Sequence, residues 1–411
     1  MADRSKTIAI IGQGYVGLPL AMAAVQAGWS VIGVENSLSR YTTISVGMSP
    51  VEDVPAEQVQ GALAAGVYQV TRDPADVNKA SVVIVCVPTP LDYKREPDLS
   101  VLERAITDIA PHLADNTLVI NESTSYPGTL RDFIGPLIIK YKDTTDLVIH
   151  LAVAPERVNP GDQVWGQKNT PRLIGGVDEI STNRAIDFYG TICDRLVVVT
   201  KPEIAEAAKL LENTYRLVNI ALVNQLAQIC ANENLNVHEV IEAASTKPYG
   251  FQRFTPSVGV GGHCIPVDPM YLSWWAEKNG TSASLISRAD EINRGMPLYV
   301  SQRVIDLLPE NSRKRVLILG VAYKSGVKDV RETPATALRD DLIDRGCEVG
   351  WIDPLVDEWE GTSAVGISWH CDVAVVAVAQ PGLPVEAIAA KDIPILDCTG
   401  AYRKLPGVVR L

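Results

Sequence analysis

Apolar residues near the start of the chain come in short unbroken runs rather than in alternation. Residues 7–12 form one such run and residues 30–35 another, and between them residues 17–28 are rich in Ala, Leu and Met. Short continuous runs bounded by turn signals predict buried strands, so this stretch reads as β-α-β with short connections. Further runs at 81–87, 117–121 and 147–152 predict more strands. Their alternation with helical stretches predicts a parallel, doubly wound sheet. From Pro202 the period changes. Apolar residues recur at 204, 208, 211, 215, 218, 222, 226 and 229, which predicts one helix over 203–231, about eight turns long. Such a helix must bury its stripe, so it is expected to link two domains and to offer a dimer surface. The chain stays mostly helical to about residue 303. New apolar runs at 314–320, 348–352, 371–378 and 393–397, with a helical stretch at 333–345, predict a second, smaller α/β domain. The expected fold class is therefore α/β. A Rossmann domain spans 1–200, a helical domain containing the linking helix spans 201–303, and a Rossmann-like α/β domain spans 304–411.

Composition narrows the class. The 411 residues are 46% apolar and 21% charged, with a formal net charge of −12, which is ordinary for a globular protein. No basic run exceeds Arg313-Lys314-Arg315, so no nucleic-acid partner is expected. The seven cysteines at 86, 193, 230, 264, 347, 371 and 398 stand singly, with no C-x-x-C pair. That spacing argues against a disulfide framework and against a structural zinc site; no metal is expected, and a reducing cytoplasm fits. No apolar run approaches about 18 residues and no signal-peptide pattern follows Met1, so no membrane association is expected.

The first β-α turn carries Gly12-Gln13-Gly14-Tyr15-Val16-Gly17, a full dinucleotide-binding fingerprint. Gly12 permits the tight turn, Gly14 the approach of a pyrophosphate, and Gly17 the packing of helix on strand. Glu35 ends the second predicted strand, where it can bond ribose hydroxyls and repel a 2′-phosphate; the expected cofactor is NAD. Thr89 and Thr124 follow two other strands at their carboxyl ends, where ligands bind in open sheets. Cys264 lies in a glycine-rich loop with Asp268 four residues on. A thiol beside a dinucleotide site suggests oxidation through a covalent sulfur intermediate. Glu156 follows a predicted strand, and Lys209 and Asn213 share one face of the long helix.

These segments together resemble the UDP-glucose/GDP-mannose dehydrogenase family. The resemblance rests on residues 12–17, 87–90, 122–128, 155–157, 209–214, 259–268, 320–324 and 331–334, in order along nearly the whole chain. It implies an NAD-binding domain, a central helical domain and a C-terminal domain that helps bind UDP. It also implies a homodimer or higher homo-oligomer acting on a UDP-sugar, whose C6 alcohol is oxidised to a carboxylate with two NAD. On this resemblance Cys264 is the nucleophile, Lys209 and Asn213 contact the reacting oxygen, and Lys209 raises the thiolate fraction. Asp268 and Thr124 handle water and protons, and Glu156 assists thioester hydrolysis. Tyr15, Val16, Thr89 and Arg331 join the cofactor contacts; Arg157, Arg253, Gly261 and Lys324 join the substrate contacts. His263 tunes the thiol or packs the backbone. Where UDP-glucose members tend to be acidic this chain has Pro160, and residues 261–274 are similar to the branch that oxidises UDP-N-acetylhexosamines. UDP-N-acetylglucosamine is the expected substrate, with UDP-N-acetylmannosamine the close alternative and UDP-glucose a further one. A two-electron hydroxyacid dehydrogenase and a non-catalytic nucleotide sensor are the competing readings. Cys264 and the second α/β domain count against the first, and the intact polar set counts against the second.

Overall fold

The computed structural model describes residues 4–142, 144, 146–158 and 164–411. The chain divides into two compact units, Met1–Leu211 and Glu212–Leu411.

The first unit is a sheet with helices on both faces. Its elements are β1 Thr7–Ile11, α1 Gly17–Gln26, β2 Ser30–Val34, α2 Leu38–Ser45, α3 Ala56–Ala64, β3 Tyr68–Thr71, β4 Val82–Val85 and α4 Ser100–Ile109. They continue with β5 Thr117–Asn121, α5 Gly135–Tyr141, β6 Ile149–Val153, β7 Arg172–Gly176, α6 Glu179–Tyr189 and β8 Leu196–Val198. The strand order is β3-β2-β1-β4-β5-β6-β7-β8, so the order reverses between β1 and β4. The apolar runs behave as expected of strands covered on both sides: all five residues of β1 are buried. Ile8 and Ile10 pack with Leu18, Ala21 and Phe188 on one face. Ala9 and Ile11 pack with Leu102, Ile106 and Ile134 on the other. Strands β1 to β6 run parallel, whereas β6 and β7 pair antiparallel through Ala152 with Gly176 and Val153 with Gly175. β7 was not foreseen, because Arg172 opens it and two glycines close it, leaving too short an apolar run.

The long helix α7, Pro202–Asn232, matches the expected element. Its buried face does not match the expected stripe. The residues it buries are Pro202, Ala205, Glu206, Lys209, Leu210, Asn213, Thr214, Leu217, Ala221, Val223, Asn224, Ala227 and Cys230. Of the eight positions that the period picked out, Ile204, Leu211, Tyr215, Leu222 and Ile229 are exposed, and Ala208, Val218 and Leu226 are half-buried. Hydropathy located the helix but only part of the face this chain covers, because small and polar residues share that face with Leu210, Leu217 and Val223.

The second unit holds α8 Val237–Ser245, α9 Asp268–Lys278, α10 Ser284–Asp306, β9 Arg315–Leu319, α11 Pro334–Asp344, β10 Glu348–Ile352 and a hairpin of β11 Glu358–Trp359 with β12 Thr362–Ser363. It ends with β13 Val373–Val376, α12 Val385–Ala389, β14 Ile395–Asp397 and β15 Val408–Arg410. The five-stranded sheet has the order β10-β9-β13-β14-β15. Its pairings are all parallel. Val223 and Ala227 of α7, Ile241 of α8 and Val300 of α10 join Val316, Ile318 and Leu338 in one core.

Candidate active site

The glycine fingerprint turns tightly between β1 and α1. Gly12 has φ of +90°, and a Cβ there would lie 2.5 Å from the Cys86 carbonyl oxygen. A Cβ on Gly17 would lie 1.9 Å from the Gly12 carbonyl oxygen, so only glycine lets α1 approach the strand. A Cβ on Gly14 would meet nothing within 4 Å, so that face is open to a ligand. Val16 is the N-cap residue of α1, makes no side-chain cap, and no acidic residue stands in the first turn. Tyr15 beside it is exposed. The positive end of the helix therefore stays uncompensated by its own side chains, as a pyrophosphate site requires. Glu35 is 4% exposed. It accepts from the Gln13 N–H at 2.9 Å, the Ser37 N–H at 2.8 Å and the Arg40 guanidinium at 3.2 Å. These groups fit NAD. Arg40 is the member of the set that sequence reasoning overlooked.

Three loops leave the carboxyl ends of β4, β5 and β6, and one buried polar cluster lies beneath them. Glu122, directly after β5, pairs with Arg172 at 3.3 Å. It also accepts a short hydrogen bond from the Tyr189 hydroxyl and the Cys86 thiol at 3.9 Å. Arg172 Nη1 donates to the Ala154 carbonyl at 3.3 Å, Nη2 donates to Gln167 Oε1 at 2.5 Å, and the guanidinium lies 5.2 Å from the Tyr189 ring centre. Burial pushes the Glu122 carboxyl above its usual range, against the opposing pull of Arg172. Burial likewise raises the Cys86 thiol, with Glu122 adding to it. Ser123 next accepts the Val87 N–H at 2.9 Å, which ties the loop of Thr124 to the loop of Thr89. Both threonines are half-buried.

Glu156 and Arg157 follow β6. Lys209 donates to the Glu156 carbonyl at 2.6 Å, and Arg157 donates to the Pro171 carbonyl at 2.8 Å. The Glu156 carboxylate closes a short bond with the Val158 N–H. Pro160, on which the choice of substrate branch partly rested, lies outside the described residues.

In the second unit the thiol loop enters α9. The Cys264 carbonyl accepts the Asp268 N–H at 2.8 Å, which places the two residues one turn apart. Cys264 is exposed, whereas Asp268 is 2% exposed. Asn213 donates to Asp268 Oδ2 at 2.6 Å. Gly262 has φ of +83°, and a Cβ there would sit 2.9 Å from the Tyr323 ring. A Cβ on Gly261 would sit 2.7 Å from the Glu332 carbonyl oxygen. The loop is thus pressed against the start of α11. Upstream, Asn224 accepts the Ser257 N–H at 2.9 Å and donates to Asn293 at 2.9 Å. Lys324 is half-buried, 5.7 Å from the Tyr323 ring centre. Arg331 is exposed and paired with Asp329 at 2.6 Å. Partial burial, then the Arg331 cation, hold His263 below the usual imidazole range. Arg253 is exposed. None of the seven cysteines is in a disulfide.

Residues 6–193 match the NAD binding domain of the UDP-glucose/GDP-mannose dehydrogenase family, 203–295 its central domain and 317–389 its UDP binding domain. The chain belongs to this family. It is an NAD-dependent UDP-sugar dehydrogenase, as the fingerprint and the thiol loop led one to expect. It is 40% identical over 352 residues to the UDP-N-acetyl-D-mannosamine dehydrogenase of Methanocaldococcus jannaschii, across 85% of this chain and 79% of that protein. It is 35% identical over 348 residues to the enzyme of the same name from Salmonella typhi, across 81% of each. The solved UDP-D-ManNAc dehydrogenase of Pyrococcus horikoshii superimposes with a TM-score of 0.87 at 32% identity, covering 98% of both chains. Among the described residues no helix is long and apolar enough to cross a membrane.

Proposed function

We propose that this enzyme oxidises the C6 alcohol of a UDP-N-acetylhexosamine to the uronic acid in two NAD-dependent steps joined by a covalent bond to Cys264. The observation that carries this reading is the Asn213–Asp268 hydrogen bond of 2.6 Å, one helical turn from the Cys264 thiol. Bound NAD supplies the hydride acceptor for both oxidations. A base takes the proton of the C6 alcohol, with Thr124 and Asp268 relaying it through water. The Cys264 thiolate adds to the aldehyde carbon to give a thiohemiacetal, whose oxygen Lys209 and Asn213 stabilise. Oxidation of that adduct leaves a thioester. Water, assisted by Glu156, breaks the carbon–sulfur bond and releases the carboxylate and the thiol. Gly12, Gly14, Tyr15, Val16, Gly17, Glu35, Thr89 and Arg331 hold the cofactor. Arg157, Arg253, Gly261 and Lys324 hold the UDP-sugar.

UDP-N-acetylglucosamine is the substrate proposed from residues 261–274. UDP-N-acetylmannosamine is the second reading, favoured by the names of the relatives. The proposed domains are 1–200, 201–303 and 304–411, and the proposed setting is the cytoplasm. The exposed apolar stripe of α7 supports a homo-oligomer. The test is NADH formation with UDP-glucose and both UDP-N-acetylhexosamine epimers. Two NADH per sugar from one epimer supports the reading and selects it. One NADH per sugar removes the thioester. Equal kcat/KM for UDP-glucose removes the acetamido preference.

A further inference from the structure

We propose that Glu206 is a positioning residue, whose buried carboxylate fixes the loop that carries Thr124 to the helix that carries Lys209. Glu206 is 2% exposed and belongs to the first turns of α7. Its Oε2 accepts the Gly128 N–H at 2.7 Å. Its Oε1 accepts the Leu130 N–H at 3.0 Å and the Ser125 hydroxyl at 3.3 Å. Three donors from residues 125–130 thus converge on one side chain. Gly128 sits at φ of +100°, so the backbone there has turned its N–H toward α7. Thr124 directly precedes Ser125, and Lys209 lies one turn beyond Glu206 on the same helix. A shift of the loop against the helix would therefore change the spacing of two residues to which the proposed function gives chemical roles. The inference rests on those roles.

An acceptor-only carboxylate is suited to this task, because protonation turns one acceptor oxygen into a donor and weakens the hydrogen bonds that the carboxyl accepts. Four titratable or charged groups surround it. Glu203 stands one turn earlier on α7 and is paired with Arg131 at 2.8 Å. Tyr126 and Asp132 come from the loop and the turn that follows it. Burial raises the Glu206 carboxyl to about 7, Glu203 adds to the rise, and the Gly128 and Leu130 N–H groups and the Ser125 hydroxyl oppose it. The clamp is consequently complete above neutral pH and weakened below it.

The test pairs amide hydrogen exchange with steady-state kinetics on the full chain. In the wild type, the Gly128 and Leu130 amides should lose protection roughly 10-fold, corrected for intrinsic exchange, as the pH falls through about 7. Glu206→Gln should remove that dependence. It should lower kcat roughly 10- to 100-fold while leaving the KM for NAD within about twofold, because misplacement rather than lost binding is the fault. The acid limb of kcat near neutrality should vanish with it. Protection that ignores pH in the wild type overturns the clamp, and this measurement stands even if the variant fails to fold. A folded Glu206→Gln with wild-type kcat and pH profile overturns the positioning role. If the wild type oxidises no UDP-sugar, the proposed function fails, while the exchange result still decides whether the carboxylate holds the loop.

Discussion

Replacing Arg172 by Met would strand a carboxylate in the interior. Glu122 would lose its cation at 3.3 Å but keep the Tyr189 hydroxyl and the weak Cys86 donor. The Ala154 carbonyl and Gln167 would each lose a donor. Breaking one partner of a buried pair costs about 3–5 kcal/mol. Here the lower end applies, because Glu122 is already pushed toward its neutral form by burial and can take up a proton when Arg172 is gone. A loss of about 3 kcal/mol lowers the melting temperature by roughly 6–12 °C for a unit of about 200 residues. Adding Glu122→Gln to the variant removes the stranded charge. The double variant should recover at least about 1.5 kcal/mol over Arg172→Met, a coupling of the size expected for groups in one network. Stability of Arg172→Met should also rise as the pH falls toward the usual carboxylate range. A carboxyl whose folded pKa exceeds its unfolded pKa binds a proton more readily in the native state, so lower pH favours the fold. Equilibrium denaturation of the wild type and the two variants at several pH values provides the measurement. A double variant no more stable than Arg172→Met, or a single variant within about 1 kcal/mol of wild type, would refute the view of the cluster as a charge pair.

Cys264→Ala should abolish formation of the uronic acid yet leave NAD affinity, read by fluorescence titration, within about twofold, since the thiol forms the covalent adduct and the fingerprint holds the cofactor. NAD should be preferred over NADP, because Glu35 has little room for a second anion; Glu35→Ala should narrow the preference by leaving Arg40 as the unopposed cation, and equal kcat/KM in the wild type would defeat this reading. Glu206 carries a further sign. Its folded pKa of about 7 stands above the usual 4.5 because burying the ionised carboxyl costs more than its loop bonds return, so the whole fold is favoured most below about 4.5 and less as pH rises to about 7, although the loop bonds themselves are strongest when it is ionised. Denaturation of Glu206→Gln should show a shallower fall over that window, and parallel curves would count against it.

The proposed site was read from residues whose chemistry is unusual for their surroundings. Glycines at 12, 14 and 17, the thiol among glycines at 264, and the carboxylate at 268 are such residues, and the structure puts Asn213 on Asp268. The supporting shell was not legible. Arg172, Tyr189 and Glu206 lie far apart in sequence from the loops they hold, and no local period marks them. Glu206 and Lys209 are polar positions on a helix whose apolar stripe points elsewhere, so the hydropathy pattern drew attention to the wrong face. β7 and β8 were missed because strand signals weaken with glycine and with exposure. Arg331, expected at the cofactor, is exposed and paired with Asp329, a partner two residues away that the sequence alone does not rank above a ligand.

The turning back of the chain at β7 has an evolutionary consequence. Because β7 runs against β6, the connection between them leaves and re-enters the sheet at the same end of the strands. Its two ends are stapled together by Arg172 on the Ala154 carbonyl and Arg157 on the Pro171 carbonyl. Within that connection Gln167 holds Arg172, so substitutions that spare Gln167 leave both staples in place. Natural variation can therefore explore new contacts beside Glu156 while the strand pairings and the glycine turn keep their own hydrogen bonds, and a library that spares Gln167 tests whether that connection sets the proposed sugar preference.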